Sequence, residues 1–381
     1  MKRFLLVVLL TGLGGCSWFG SSSTVEPPAE LVDFKPAMKA QELWSRDIGK
    51  GPGERFLRLT PAEQGNTLYV IDRRGWVQAL DAGKGDERWR VDLDLDVSAG
   101  PGLGDDLVVV ATRKGQVVAL DRHDGKERWR ASVTSEVLAP PAIGDGVVIV
   151  QSVDGRVAAF AAATGKRLWL FERSEPALSL RGTSTPVVVG DAVLAGFASG
   201  KLAALNLSDG RQLWEIPVAE PHGRTEIERL IDVETPVLVT ARALIAAAYQ
   251  GRIVAVSLEN GRLLWSREIS TYSALSADAD NVYVSDARGA VYALDLRSGA
   301  TVWKQDQLHG RQLSAPMVTG QAVAVGDFDG YIHWLARDDG RFLARTRIAS
   351  AAVLVPPLAD GATLYVEAQN GELAAYRLES R

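Results

Sequence analysis

The sequence has only one cysteine, Cys16, among its 381 residues. A chain with one cysteine forms no internal disulfide, so its folding relies on noncovalent packing. In an exported protein, an unmodified Cys16 would be an unpaired reactive thiol. We therefore expect Cys16 to be chemically modified or to have a specific function.

Long hydrophobic runs are also lacking. The apolar run FLLVVLL follows Lys2 and Arg3 and is too short for an ordinary transmembrane helix, but with the small residues TGLGG after it the run is typical of a signal peptide. The segment LGGC, which ends at Cys16, resembles the bacterial lipobox, in which the cysteine is acylated and becomes the first residue of the mature chain. Ser17 in place of Asp then implies sorting to the outer membrane. We expect residues 1–15 to be a lipoprotein signal peptide and Cys16 to be a lipid anchor at the periplasmic face of that membrane.

Excess positive charge is absent. The net charge is -5, and removal of Lys2 and Arg3 with the signal peptide makes it -7. This mild acidity argues against nucleic acid as a partner and against a basic membrane-binding face. Residues 16–40 are rich in Ser, Pro and Gly without a clear period, which predicts a flexible tether. Residues 41–381 are expected to form one folded unit.

The motifs of common catalytic and metal sites are missing. Asp92, Asp94 and Asp96 imitate the start of a calcium loop, but Val97 and Leu103 stand where such a loop needs Gly and Glu. No nucleophile motif, phosphate loop or dinucleotide fingerprint is found, so we expect no catalytic residue, no metal and no cofactor. The four histidines lack metal-ligand spacing and are interpreted as solvated loop or rim residues: His123, His222, His309 and His333.

The sequence does contain a repeat of about 40 residues, present in eight copies. Its clearest copy, GQVVALDRHDGKERW, runs from Gly115 to Trp129. A complete copy has a β-branched run, a glycine turn, a second run with an aliphatic residue two positions after the glycine, another turn and a last run that ends in Trp; the last two copies are imperfect. Short apolar runs separated by Gly turns at this period are typical of propeller blades. A solenoid of β-hairpins is the alternative.

The two chain ends favour a closed ring over a solenoid. The eighth copy, from Gly371, reaches the C-terminus before its last strand, whereas residues 41–49 supply an unaccompanied last strand with its own Trp44. Pairing of these strands removes the open edge of the sheet array. The sequence therefore predicts an all-β fold, an eight-bladed β-propeller closed by N- and C-terminal strands in one blade.

The seventh copy differs from the others at two positions. Ala344 stands where Trp is due, and Trp334 stands where every other copy has Ala. We expect the Trp334 side chain to fill the space between blades that Ala344 leaves, which conserves volume.

Two neighbouring connections between copies are unusually long. A proline fourteen or fifteen residues before the glycine marks most copies. The distance from Trp to this proline of the next copy is 12 residues after Trp89 and Trp129, but 17 after Trp169 and 22 after Trp214. Because the repeat already satisfies the fold, these extra residues on adjacent blades are candidates for function. We expect connections 170–185 and 215–235 to lie side by side and to form one binding site.

The repeat unit ALDxxxGxxxW, at Ala119 to Trp129 and Ala293 to Trp303, resembles that of pyrroloquinoline-quinone dehydrogenases, which are larger and typically carry an adjacent cysteine pair. With the lipobox, the chain length, and the segments LSLRG (178–182) and EIERLIDVE (226–234), the whole chain resembles the BamB family, lipoproteins of the outer-membrane β-barrel assembly machinery. This resemblance implies a non-enzymatic scaffold that binds a periplasmic POTRA domain of BamA and helps nascent outer-membrane proteins reach it. A periplasmic quinoprotein-like propeller enzyme is the alternative.

The family's partner-contact residues correspond to positions in the two long connections. A carboxylate is retained at 234, although Glu stands where the family usually has Asp, so its reach changes by one methylene. Apolar side chains beside an Arg, with acids on the neighbouring connection, suit an interface core; an Arg that only braces the two connections is the alternative. The implied contact residues are Leu178, Leu180, Arg181, Asp232 and Glu234.

Overall fold

The computed structural model describes residues 27–53, 57–176, 184–222, 224–225, 230–233 and 235–381. These residues form strands, turns and loops, and none belongs to a helix that could span a membrane. The strands assemble into eight antiparallel sheets arranged as the blades of a propeller. The predicted all-β, eight-bladed fold is confirmed.

Two strands precede the first blade, and four-stranded meanders follow in chain order. The first two are β1 (Met38–Asp47) and β2 (Arg58–Leu59). Blade one contains β3 (Ala62–Glu63), β4 (Thr67–Ile71), β5 (Trp76–Asp81) and β6 (Glu87–Asp92). Blade two contains β7 (Val97–Gly104), β8 (Leu107–Thr112), β9 (Gln116–Asp121) and β10 (Glu127–Ser132). Blade three contains β11 (Ala142–Gly144), β12 (Val147–Gln151), β13 (Arg156–Ala161) and β14 (Arg167–Glu172). Blade four contains β15 (Val187–Val189), β16 (Ala192–Gly196), β17 (Lys201–Asn206) and β18 (Gln212–Pro217).

The second half of the ring repeats this order, and its last blade borrows β1. Blade five contains β19 (Leu238–Val239), β20 (Leu244–Ala247), β21 (Ile253–Val256) and β22 (Leu263–Arg267). Blade six contains β23 (Ser276–Ala277), β24 (Asn281–Ser285), β25 (Val291–Asp295) and β26 (Thr301–Gln305). Blade seven contains β27 (Met317–Thr319), β28 (Ala322–Gly326), β29 (Tyr331–Ala336) and β30 (Phe342–Arg347). Blade eight contains β31 (Leu358–Asp360), β32 (Thr363–Glu367), β33 (Glu372–Ser380) and β1.

Strands from the two chain ends close the ring, as the sequence predicted. β1 pairs antiparallel with β33 from Met38 opposite Ser380 to Asp47 opposite Glu372. Closure by hydrogen bonds leaves no blade open at the seam. β2 adds a fifth strand to blade two, parallel to β7.

Hydrophobic cores lie between consecutive blades because the middle strands are apolar on both faces. The tryptophan of the outer strand holds each junction: the Trp169 ring lies against Gly210 of the next blade, and its Nε1 donates to the Leu207 carbonyl at 2.8 Å. The same contact with a turn glycine recurs in seven junctions, for Trp44, Trp89, Trp129, Trp169, Trp214, Trp265 and Trp303. The large side chain at the end of each repeat thus joins one blade to the next.

The chain before β1 also contacts the ring. Residues 27–37, which we call the N-terminal strap, lie along the outer strand of blade seven. The strap and the first three residues of β1 belong to the segment expected to be a flexible tether, and the boundary predicted at residue 41 falls inside β1. The rest of that segment, residues 16–26, and Cys16 with it, lie outside the described residues.

The prediction of solvated histidines is wrong for His333. Its side chain is fully buried on β29, and Nε2 lies 2.9 Å from Asp327 Oδ2. Arg345 Nε donates to Nδ1 at 3.1 Å, so the ring proton resides on Nε2 and is donated to Asp327. Sequence spacing did not indicate this position because the buried carboxylate that accepts the proton comes from the turn before the strand.

Candidate partner-binding site

The two long connections join adjacent blades at one face of the ring. The first leads from β14 of blade three to β15 of blade four, and the second from β18 of blade four to β19 of blade five. Each runs from an outer strand to the next inner strand, which places both at the face that carries the turns between the second and third strands. Residues 177–183, 223, 226–229 and 234 of these connections lie outside the described residues.

The described parts of the two connections contact each other. Ser184 Oγ, near the end of the first connection, donates to the Thr235 carbonyl of the second at 2.9 Å. At the other end Arg173 forms an ion pair with Glu215, which also accepts from Lys201 Nζ at 2.7 Å. The prediction that the connections lie side by side is therefore confirmed for these residues.

The Arg173–Glu215 ion pair is supported by aromatic packing. The Arg173 guanidinium lies 5.0 Å from the centre of the Phe197 ring, and Phe171 packs against the same ring at 6.1 Å. Phe197 is buried. The hydrogen bond from Arg173 holds the pKa of Glu215 below its ordinary value, so this carboxylate is ionised at neutral pH. The start of each connection is thus fixed to a rigid part of blade four.

A polar depression of about 360 Å³ lies beside this ion pair. Burial raises the pKa of Glu175, at its edge, to about 7, and the nearby Arg173 charge opposes that rise. Arg156 crosses the depression, pairing with Asp154 and placing Nε 2.8 Å from Glu172 Oε1. The lining residues are Asp154, Arg156, Glu172, Arg173, Ser174 and Glu175.

The second connection returns to the ring at Asp232. Its backbone pairs with Tyr249 of blade five, whose amide donates to the Asp232 carbonyl at 3.0 Å. The Asp232 side chain is 1 % exposed, and neighbouring Ile231 and Val233 are buried in the core between blades four and five. Asp232 is therefore part of the packed base of the connection.

Of the sequence-predicted contact residues, the structure describes Asp232 alone. The other four lie outside the described residues: Leu178, Leu180, Arg181 and Glu234.

Sequence reasoning missed the pair that ties the connections together. Arg173 and Glu215 each follow an outer-strand Trp closely, but charges are common at such positions. Phe197 carries the clearer signal, because its position, three residues before the anchor glycine, is Asp in three other copies: Asp72, Asp286 and Asp327.

The site offers no grouping suited to metal chemistry. In the part of the chain that the structure describes, no three His, Cys, Asp or Glu side chains are placed to hold a metal ion. The charged side chains here pair with one another, as Arg156 does with Asp154 and Glu172.

The family described as outer membrane protein assembly factor BamB matches residues 73–305. The protein of that name from Pseudomonas aeruginosa is 50% identical over 377 residues, covering 99% of both chains, and that from Alkalilimnicola ehrlichii is 48% identical, covering 98% of this chain and 95% of its own.

Solved structures with the same fold include a BamB protein and a quinoprotein enzyme. The crystal structure of BamB from Moraxella catarrhalis superposes with a TM-score of 0.81 at 26% identity, over 89% of this chain and 100% of that one. The quinohemoprotein alcohol dehydrogenase from Comamonas testosteroni gives a TM-score of 0.68 at 14% identity, over 89% of this chain and 76% of that enzyme. The second likeness shows the fold alone.

Proposed function

The chain belongs to the BamB family of outer membrane protein assembly factors, and we propose that it performs this role by docking on a periplasmic POTRA domain of BamA through its two long connections. It is a non-enzymatic scaffold of the Bam complex. The observation that carries the docking proposal is the contact between the connections, through Ser184 and Thr235 at one end and Arg173 and Glu215 at the other. The blades thereby hold the described ends of the two connections beside each other.

The composition of the connections supports a hot spot at residues 178–181. Arg181 supplies a planar, charged donor of the residue type enriched at interface hot spots, and Leu178 and Leu180 supply apolar area beside it. Arg173, which precedes this segment in the same connection, is held against the buried Phe197 ring. Restriction before binding lowers the entropy that is lost on association.

Asp232 acts in this proposal as a positioning residue and not as a partner contact. Its side chain is 1 % exposed, so a POTRA domain that docks on the ring surface would meet its neighbours first. Glu234, with Glu where the family usually has Asp, is then the acid proposed to meet the partner.

The proposed role also requires the protein to be attached to the outer membrane, where it can meet BamA. Acylation of Cys16 would hold the protein at the periplasmic face, where the POTRA domains of BamA and nascent outer-membrane proteins meet. Two anchoring signals are ordinarily needed for stable membrane attachment. The lipid chains on Cys16 and the bound BamA would provide them together.

Direct binding to the periplasmic part of BamA tests the proposal. The mature protein should bind that part of BamA saturably, and purified protein should show no quinone absorbance. Absence of binding under conditions in which the ring is folded would refute the scaffold role of this surface. A stoichiometric quinone spectrum would favour the quinoprotein alternative instead.

A further inference from the structure

The N-terminal strap is bound to blade seven by backbone hydrogen bonds at both its ends. The Ala29 amide donates to the His309 carbonyl at 2.8 Å, and the Ala37 amide donates to the Leu343 carbonyl at 3.0 Å. His309 lies in the connection that enters blade seven, and Leu343 lies at the start of its outer strand. The strap therefore runs the full height of the blade, antiparallel to β30.

Two arginines of blade seven bind the strap between these ends. Arg311 Nη1 donates to the Ala29 carbonyl at 3.1 Å, and Arg345 Nη1 donates to the Val32 carbonyl at 3.0 Å. Both contacts go to backbone oxygens, so they fix the path of the chain.

The ring holds these arginines in place through a buried carboxylate. Asp327 is fully buried and accepts from Arg311 Nε at 2.8 Å and from His333 Nε2 at 2.9 Å. Arg345 reaches the same network through His333 Nδ1. Charge-assisted hydrogen bonds of this kind set a side chain's direction before a ligand arrives. The binding surface for the strap is thus part of the folded blade.

Aromatic contacts add a side-chain anchor. Phe34 of the strap stacks on Phe342 of β30, with ring centres 5.2 Å apart and planes inclined by 26°. The Arg345 guanidinium lies over both rings, at 5.0 Å from Phe34 and 5.3 Å from Phe342. Arg345 therefore contacts the strap through one backbone oxygen and one ring.

The strap begins at the face of the ring that carries the inter-blade connections. Ala29 lies at Arg311 and His309, in the connection from blade six to blade seven, whereas Ala37 lies near the opposite face. Blade seven is half a turn of the eight-bladed ring from blade three, where connection 170–185 starts. The chain therefore leaves the ring on the same face as the candidate partner site but on the far side.

We infer that the strap sets the orientation of the ring relative to the membrane, by fixing the point at which the chain departs for its anchor to blade seven. With the strap docked, the leash, by which we mean the chain from Cys16 to Pro27, can span at most about 40 Å. With the strap released, the chain from Cys16 to Met38 spans about 75 Å and leaves the ring at blade eight. Docking thus keeps blade seven near the membrane and leaves blades three to five farther away for the partner.

This inference rests on the proposed lipid anchor at Cys16, so its experiment has one arm that does not involve lipid. Spin labels at Pro27→Cys and Ser350→Cys, in the full chain with Cys16 unavailable to the label, should give one short, narrow distance distribution. Ser350 is exposed on the connection that leaves blade seven. The distribution should broaden in Phe34→Ala and in Arg345→Ala but not in Arg347→Ala. Arg347 is the matched control because it lies on the same strand and its Nε donates to the Asp329 carbonyl within the blade.

The second arm measures orientation on phospholipid vesicles with a headgroup acceptor dye. A donor at Ser350→Cys should transfer energy at least twice as efficiently as a donor at Ser174→Cys, an exposed serine on the connection that leaves blade three. Phe34→Ala should reduce that ratio toward one, and Arg347→Ala should leave it unchanged.

The possible outcomes separately test the docking of the strap, its role in orientation and the lipid anchor. A broad spin-label distribution in the unmodified chain, or a narrow one in Phe34→Ala, would overturn the strap itself. A docked strap with equal transfer from both donors would overturn its role in orientation. Failure of the unmodified chain to associate with vesicles would refute the lipid anchor and with it the orientation role, while the spin-label result would still report on the strap.

Discussion

Trp334 on β29 lies directly opposite Ala344 on β30, which reverses the arrangement in the seven other blades. There an alanine of the third strand faces the tryptophan of the fourth, as Ala159 faces Trp169. The regular tryptophan rests on a turn glycine of the next blade, but the third and fourth strands of blade eight come from opposite chain ends and share no turn. Trp334 instead packs edge-on against Tyr376 of blade eight, with ring centres 6.0 Å apart.

Truncation of Trp334 should destabilise the ring strongly. Its side chain is 1 % exposed in the core between blades seven and eight, so Trp334→Ala should lower the free energy of unfolding by ~3 to 5 kcal/mol. Denaturant unfolding monitored by circular dichroism measures this loss. Adding Ala344→Trp should not restore it, because blade eight has no turn glycine to receive that ring. Recovery in the double variant would contradict the explanation.

The turn glycines beneath the tryptophans should differ from turn glycines with open space around them. Gly210 has φ +73°, and a Cβ there would lie 2.5 Å from a ring carbon of Trp169. Gly190 has φ +55°, and a Cβ there would meet nothing within 4 Å. Gly190→Ala should cost about 1 to 2 kcal/mol from backbone strain alone. Gly210→Ala should cost about 3 kcal/mol or more because Trp169 must also move. Equal losses in denaturant titrations would argue against the tryptophan contact.

Glu367 should make stability fall as the pH rises. This side chain on β32 is buried, and desolvation together with the nearby charge of Asp72 raises its pKa well above 4.5. The folded state therefore keeps a proton that the unfolded state releases near pH 4.5, so the stabilisation is complete below that pH and is lost as the pH rises through the folded-state pKa. Glu367→Gln removes this titration.

Melting temperatures across a pH series test the Glu367 prediction. The melting temperature of the Gln variant relative to that of the unmodified protein should rise steadily from about pH 5 upward, since the variant has no buried carboxyl to ionise. Parallel curves for the two proteins would show that Glu367 does not titrate differently in the folded state.

Arg173 should act as a positioning residue for the partner site. Removing it leaves Glu215 without its part-buried partner, which should cost about 1 to 3 kcal/mol. Amide hydrogen exchange should then speed up in blades three to five and stay unchanged in blades six and seven. Lys201→Ala is the control, because Lys201 contacts the same carboxylate through a more exposed side chain. Uniformly faster exchange would indicate loss of overall stability instead.

The ring could be predicted from the sequence because its repeat encodes each junction twice, through a tryptophan and through the glycine that receives it. Ala344 and Trp334 depart from that pattern in the sequence itself. Because the small and the large side chain have changed places, conservation of side-chain volume predicted that they face each other. The long connections were also visible, since the repeat prolines Pro186 and Pro236 lie 17 and 22 residues after Trp169 and Trp214, compared with 12 after Trp89 and Trp129.

The docking of the strap and the Arg173–Glu215 ion pair between the connections could not be predicted in the same way. Arg311 and Arg345 bind backbone carbonyls of residues about 280 and 313 positions away, and a carbonyl carries no sequence signal. Arg173 and Glu215 are 42 residues apart and resemble many other surface charges. Phe197 supports this pair through its contact with the Arg173 guanidinium, and that contact is visible only when blades three and four are placed side by side.

The affinity of the Arg181→Ala protein for the periplasmic part of BamA, measured together with its melting temperature, tests the central claim most directly. If the two connections form the partner site, binding should weaken by ~2 kcal/mol or more, about thirtyfold, while the melting temperature stays nearly unchanged. Arg211→Ala, on the opposite face of blade four, should bind normally. A lower melting temperature for Arg181→Ala with unchanged affinity of the folded protein would contradict the claim, because Arg181 would then only brace the connections.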